Sequence, residues 1–234
     1  MSQPSEQSRK TRILDAAERA FADLGFEGAS LRQIVQAARV NLATVYYYFG
    51  SKEGLMAAVF ERRFGPLRDE HWEALQKLDK EAQGYPLPME KILETMLRPA
   101  LRLATAAAPQ GRTVMRLIGR IASDPDPRIQ ELFRGQFREV RQAYLERIHR
   151  SAPELPEADI LWRFEFIWGA FAFVLCNPAK LERITGGMCN PADMNTLLAQ
   201  MVACFAAGFR APAVSRTGPA SRCGKRRPNA RDRV

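Results

Sequence analysis

The chain has 234 residues and a formal net charge of +9, unevenly spread. The last 24 residues hold seven basic side chains and one acidic one, so the rest carries only +3; a uniformly basic, histone-like protein is excluded. With 46% apolar residues the chain can build a real core, and it has no apolar run of the roughly 18 residues that a membrane helix needs.

Residues 1–12 are polar and charged, unlike the apolar stretch of a signal peptide. Residues 1–8 read as a disordered arm. From there almost everything reads as helix, about nine in all, with no period-two alternation and hence no sheet. Ile13, Leu14, Ala17, Phe21 and Leu24 recur at the helical period, which predicts an amphipathic helix over 9–24, ended by Gly25. Ser30 and Gln33 have the spacing of a capping box, and Leu31, Ile34, Val35 and Ala38 would form the buried face of the second helix. Asn41 can cap a third, short helix through Phe49. Gly50 and Ser51 break it, and Ser51 can cap a long helix from Lys52 to about residue 80.

Prolines punctuate the rest, giving expected helices over 89–108, 111–122, 127–150 and 157–175, a short one after Pro178, and a last one over 192–209. The domains read as 9–52, a helix-turn-helix unit, and 53–210, a larger helical unit. Residues 211–234 are rich in Pro, Ser, Gly and Arg and read as a disordered basic tail. That tail adds sequence-independent affinity for DNA or only solubilises the chain; the second is favoured.

Residues 30–52 carry the most information. Tyr46, Tyr47 and Tyr48 are consecutive, so on a helix they sweep roughly 200° and cannot share one buried face. Tyr47 is expected to face outward. Small residues beside it permit close approach to base edges: Ala43 and the Thr44 methyl suit thymine methyls, and Thr44 can hydrogen-bond. Tyrosine hydroxyls and Lys52 suit phosphates, aided by the positive end of the helix that Ser51 caps. The pattern alone also allows a small helical domain in which the tyrosines are packing residues.

The stretch 11–18, then Phe21, Gly25, Phe26, Ser30, Leu31, Ile34, Ala37, Ala38 and 44–52, closely resembles the DNA-binding domain of TetR-family transcriptional repressors. The resemblance implies an all-α regulator that binds double-stranded operator DNA as a homodimer in the cytoplasm. It implies DNA contacts from Ser30 and Arg32 near phosphates, from Leu42, Ala43, Thr44 and Tyr47 at bases or groove walls, and from Tyr46, Tyr48 and Lys52 at the backbone. Arg39 departs from the family, which usually has glycine in that turn; arginine tolerates a positive φ less easily. Residues 41–43, 48–52, 115–119, 162–163, 169–170 and 205–208 are similar to a narrower, fatty-acid-responsive PsrA-like branch, which implies a small apolar or amphipathic effector such as a fatty acid or acyl-CoA.

In such regulators the later helices form a ligand cavity and a dimer. Met96, Met115, Ile118, Phe133, Phe137, Tyr144 and Phe166 could line an apolar tunnel, with Arg116 or Arg120 holding a carboxylate or phosphate head group. For any one of them the plainer reading is favoured, core for the apolar residues and a solvated or ion-paired side chain for the arginines. The aromatic helix, with Trp162, Phe166, Gly169, Ala170 and Phe173, could pair with Leu198, Met201, Val202 and Phe205 of the last helix in a four-helix interface. A ligand between the central helices would shift the helix that begins at Lys52 and so reposition the reader.

No enzyme fingerprint appears. His71 and His149 have no evident catalytic partner and read as surface or capping residues, so no catalytic residue is expected. The four cysteines, Cys176, Cys189, Cys204 and Cys223, lack CxxC spacing, so free thiols and neither metal nor cofactor are expected.

Overall fold

The computed structural model describes residues 6–105, 109–122, 124 and 126–214. The expected tail beyond 214, with Cys223, and residues 1–5 of the expected arm lie outside them. The described residues form ten helices and no strand: α1 (Glu6–Gly28), α2 (Leu31–Ala38), α3 (Leu42–Phe49), α4 (Lys52–Ala82), α5 (Met89–Thr105), α6 (Pro109–Ala122), α7 (Pro127–Ser151), α8 (Glu157–Cys176), α9 (Pro178–Ile184) and α10 (Met194–Arg210).

Residues 6–8, expected in the arm, are already the first turn of α1. Gly25 interrupts α1 at φ 75°, and a further turn runs on to Gly28. Leu24, expected on the buried face, is half exposed as a result, while Phe26 beyond the break is buried. Pro109, expected to lie before α6, opens it instead, where its missing N–H is not needed. Residues 211–214, expected in the disordered tail, are held by side chains of α8. Arg163 donates to the carbonyls of Gly208, Ala211 and Pro212 at 2.8–2.9 Å, and Asp159 accepts the N–H of Val214 at 2.9 Å.

Two apolar cores result. The smaller joins Ile13, Ala17, Phe21, Ile34, Ala38 and Val45 to Leu55, Val59 and Phe60 of α4, to Val114, Leu117 and Ile121 of α6, and to Ile129 of α7. The core of the helix-turn-helix unit therefore continues past residue 52 into helices of the second unit. The larger core is built from α4, α5, α7, α8 and α10, with Ile92, Leu93, Leu97, Ile148, Phe164, Ile167 and Phe209 at its centre. α4 and α7 both enter the two cores and link them.

Candidate nucleic-acid interface

Each helix of the reading unit starts from a side-chain cap. Ser30 and Gln33 close the capping box reciprocally: the Gln33 N–H donates to Ser30 Oγ at 3.2 Å, and the Ser30 N–H donates to Gln33 Oε1 at 3.0 Å. α2 then ends in a left-handed residue, Arg39, at φ 54° and ψ 51°. The N–H of Val40 reaches the carbonyl of Val35 at 3.1 Å and that of Arg39 reaches Gln36 at 3.2 Å, the pair of bonds of a Schellman stop. The expected turn geometry is kept, with arginine in the place glycine would fill without strain. Asn41 caps α3 by accepting the N–H of Thr44 at 2.8 Å and its hydroxyl at 2.6 Å. The hydroxyl proton of Thr44 is thereby engaged, leaving its methyl and lone pairs free of that bond.

Only Val45 of α3 is fully buried. Around it Leu42, Ala43, Tyr46 and Tyr47 are exposed, Tyr47 at 78%, while Thr44 and Tyr48 are half buried. The Tyr47 and Tyr48 rings meet edge to face at 5.0 Å. Desolvation, and then the Glu6 carboxylate, raise the Tyr48 phenol above its ordinary range, so it stays a hydrogen-bond donor. Ser30 and Arg32 are exposed at the start of α2. Lys52, expected at the DNA backbone, is engaged by the end of α1. The Lys52 ammonium lies 4.5 Å from the Phe26 ring centroid and 3.5 Å from the Glu27 carbonyl. The Glu53 carboxylate is held below its usual range by backbone and Ser51 hydrogen bonds, so a negative group already occupies that helix end.

The sequence reading missed Gly54. A Cβ built on it would stand 2.0 Å from the Phe49 carbonyl oxygen, so only glycine lets the end of α3 sit against the first turn of α4. It also missed the ion pairs that fix α1 on α4. Arg62 pairs with Asp15 at 2.7 Å, and Arg63 pairs at 2.7 Å with Glu18, whose carboxylate is buried.

The nine expected ligand residues are not brought together. Met96 and Tyr144 are buried in the larger core and Met115 packs on it; Ile118, Phe133 and Phe137 pack on the smaller one. Phe133 and Phe137 form an aromatic cluster with Phe60 and Phe64 between α4 and α7. Phe166 is 59% exposed, so it lines no interior tunnel. Arg116 and Arg120 point to α1, the first pairing with the Asp23 carboxylate and the second donating to its carbonyl, both at 2.9 Å. His71, expected at the surface, is buried: its Nδ1 is 3.0 Å from the Tyr144 hydroxyl, which lies 3.2 Å from the Thr95 carbonyl. Burial lowers its pKa to about 4.

Of the expected interface residues, Trp162, Phe166, Gly169 and Phe173 form one exposed stripe along α8, with Ala170 half buried at its edge. Leu198 and Met201 are corrected: both are buried in the subunit's own core, because α10 packs against α5 and α8. Val202 and Phe205 are half buried against that core. Cys176, Cys189 and Cys204 are free thiols. Among the described residues, no group of three or more His, Cys, Asp or Glu is placed to hold a metal, and no helix is long and apolar enough to cross a membrane.

A capped two-helix reader with an exposed edge, packed through α1 and α4 on a larger helical body, defines a helix-turn-helix DNA-binding regulator. The family model for bacterial regulatory proteins of the tetR family matches residues 13–59, and that for the tetracyclin repressor-like C-terminal domain matches 94–208, together more than two thirds of the chain. The chain belongs to the TetR family of transcriptional regulators. It is 39% identical over 77 residues to the HTH-type transcriptional repressor NicS of Pseudomonas putida, covering 32% of this chain and 35% of that protein. The match thus spans about a third of the curated relatives' length. A TetR-like transcriptional regulator from Rhodococcus sp. RHA1 superposes with a TM-score of 0.55 at 23% identity, covering 88% of this chain and all of that one. The transcriptional regulator FadR from Bacillus subtilis, in complex with stearoyl-CoA, gives 0.53 at 14% identity, covering 85% and 98%. At these identities the likeness is one of fold.

Proposed function

We propose that the protein is a cytoplasmic homodimer that binds a palindromic operator and represses transcription until a small apolar or amphipathic effector releases it. The observation that carries this reading is α3, which buries Val45, packs Tyr48 and Phe49 on the core and presents Ala43 and Tyr47 outward. Two such helices one DNA turn apart, about 34 Å, read two half-sites. The exposed Trp162–Phe166–Phe173 stripe supports pairing through α8. A fatty acid or acyl-CoA is the effector class that the PsrA-like resemblance suggests, and FadR, a protein of similar fold, carries stearoyl-CoA.

Selecting bound genomic fragments yields the operator. On that DNA, affinity falls steeply with salt, and Tyr47→Ala lowers it at least tenfold. If neither salt nor Tyr47→Ala matters, α3 is not a reader, and a helical protein-interaction module is the better description. Equal operator affinity with and without each fatty acid and acyl-CoA removes that effector class.

A further inference from the structure

A groove of about 490 Å³ opens where the end of α1 meets α6, walled by Ala22, Asp23, Arg116, Gly119 and Arg120. The face of α6 that carries Val114, Leu117 and Ile121 is buried in the smaller core, and this turns the two arginines toward solvent and α1. They lie one turn apart, and both are held through a single residue, Asp23. Two guanidinium groups therefore converge on Asp23, one at its carboxylate and one at its carbonyl, and Ala22 and Gly119 place no long side chain in the groove.

We propose that this groove binds a phosphate-bearing small molecule, whose oxygens take the forks of Arg116 and Arg120 from Asp23. Both partners of the Arg116–Asp23 pair are about half exposed, and a pair so wetted exchanges readily. A monocarboxylate would meet one fork and compete with Asp23 on equal terms. A phosphate or diphosphate carries more charge and can engage both forks bidentately. Bound there, it repels Asp23 and releases the end of α1 from α6. α1 belongs to the reader, so occupancy weakens operator binding; this consequence rests on the regulator reading above, whereas the binding does not.

The test is calorimetric titration of the full-length protein with pyrophosphate at low salt and without DNA. One saturable site per chain is expected. Asp23→Asn removes the competing charge and should bind several-fold tighter, and Arg116→Ala/Arg120→Ala should bind at least tenfold more weakly. The gain in Asp23→Asn keeps the test decisive if the double alanine variant fails to fold. No saturable binding, equal binding by the double variant, or no gain in Asp23→Asn overturns the proposal. A second arm separates a small molecule from the DNA backbone as the source of phosphate. Arg116→Lys/Arg120→Lys keeps the charge but loses the forks, so it should weaken pyrophosphate binding and leave non-operator duplex affinity unchanged. A fall in duplex affinity there overturns the small-molecule assignment. Failure with pyrophosphate leaves the regulator reading standing, since that reading is tested by operator binding, its salt dependence and Tyr47→Ala.

Discussion

The carbonyl oxygen of Phe49 occupies the place where a side chain on Gly54 would begin, 2.0 Å from an ideal Cβ. The Gly54 N–H meanwhile donates to Ser51 Oγ at 3.0 Å, so the same residue completes the cap of α4 and receives the end of α3. The direction of the reading helix is set by this contact. In an ordinary helix, alanine is more stable than glycine by about 0.5–1 kcal/mol. Gly54→Ala should invert that sign and destabilise the protein by about 1–3 kcal/mol as α3 is pushed away. Operator affinity should drop at least tenfold. Urea unfolding and fluorescence anisotropy on operator DNA measure the two effects; a gain in stability would mean the carbonyl does not block the site.

Arg39 offers the opposite case. It holds φ 54° at the stop of α2 with both Schellman bonds made, so the turn is formed against the preference of its own residue. An L-residue in the left-handed region costs roughly 1–2 kcal/mol, part of which glycine returns through its freer unfolded chain. Arg39→Gly should therefore raise stability by about 0.5–1 kcal/mol, and Arg39→Val should lower it. The midpoint of urea unfolding at unchanged slope is the readout.

His71 makes stability depend on acid. Burial places its folded-state pKa at about 4, below the ordinary histidine value near 6.5. Between those values the unfolded chain binds a proton that the folded chain refuses, so stability is complete above about pH 6.5 and falls as pH drops toward 4. The loss is about 2–3 kcal/mol. His71→Gln can keep a hydrogen bond to Tyr144 without titrating. The gap between wild-type and variant unfolding free energies should shift by that amount between pH 7 and 4.5, whatever the carboxylates add to both curves.

The local architecture was legible because caps and stops are short-range. Ser30 with Gln33, Asn41 and Ser51 act within three residues of themselves, and Tyr47 is outward for the reason the run of three tyrosines implies. What stayed hidden depends on partners distant in sequence. Periodicity shows that Arg116 and Arg120 share a polar face but not that α1, some 90 residues earlier, lies across from it. His71 looked like a surface residue because its partner Tyr144 is 73 residues away. Leu198 and Met201 carry the same apolar signal whether α10 packs on its own subunit or on another. Gly54 left no trace because a glycine near a helix start looks ordinary until the preceding helix is folded over it.

The course of the chain after α10 makes a prediction about its basic end. Arg210 pairs with Glu90 at the start of α5, and Arg163 gathers the carbonyls of Gly208, Ala211 and Pro212 at the start of α8. The start of α5 directly follows the end of α4, and α4 has 31 residues, a rise of about 46 Å from Lys52. Val214, after which seven basic residues follow in the sequence, therefore lies at the end of the molecule remote from α3. To help at the same operator, that segment would have to run back extended along the body, at a cost in conformational entropy. Truncation after Val214 should leave operator affinity within about twofold and its salt slope unchanged by one charge or more. Arg163→Ala removes several charge-assisted hydrogen bonds and should cost roughly 1–3 kcal/mol of stability, again without changing the salt slope. A salt slope that falls by several charges on truncation would instead make the tail part of the DNA contact.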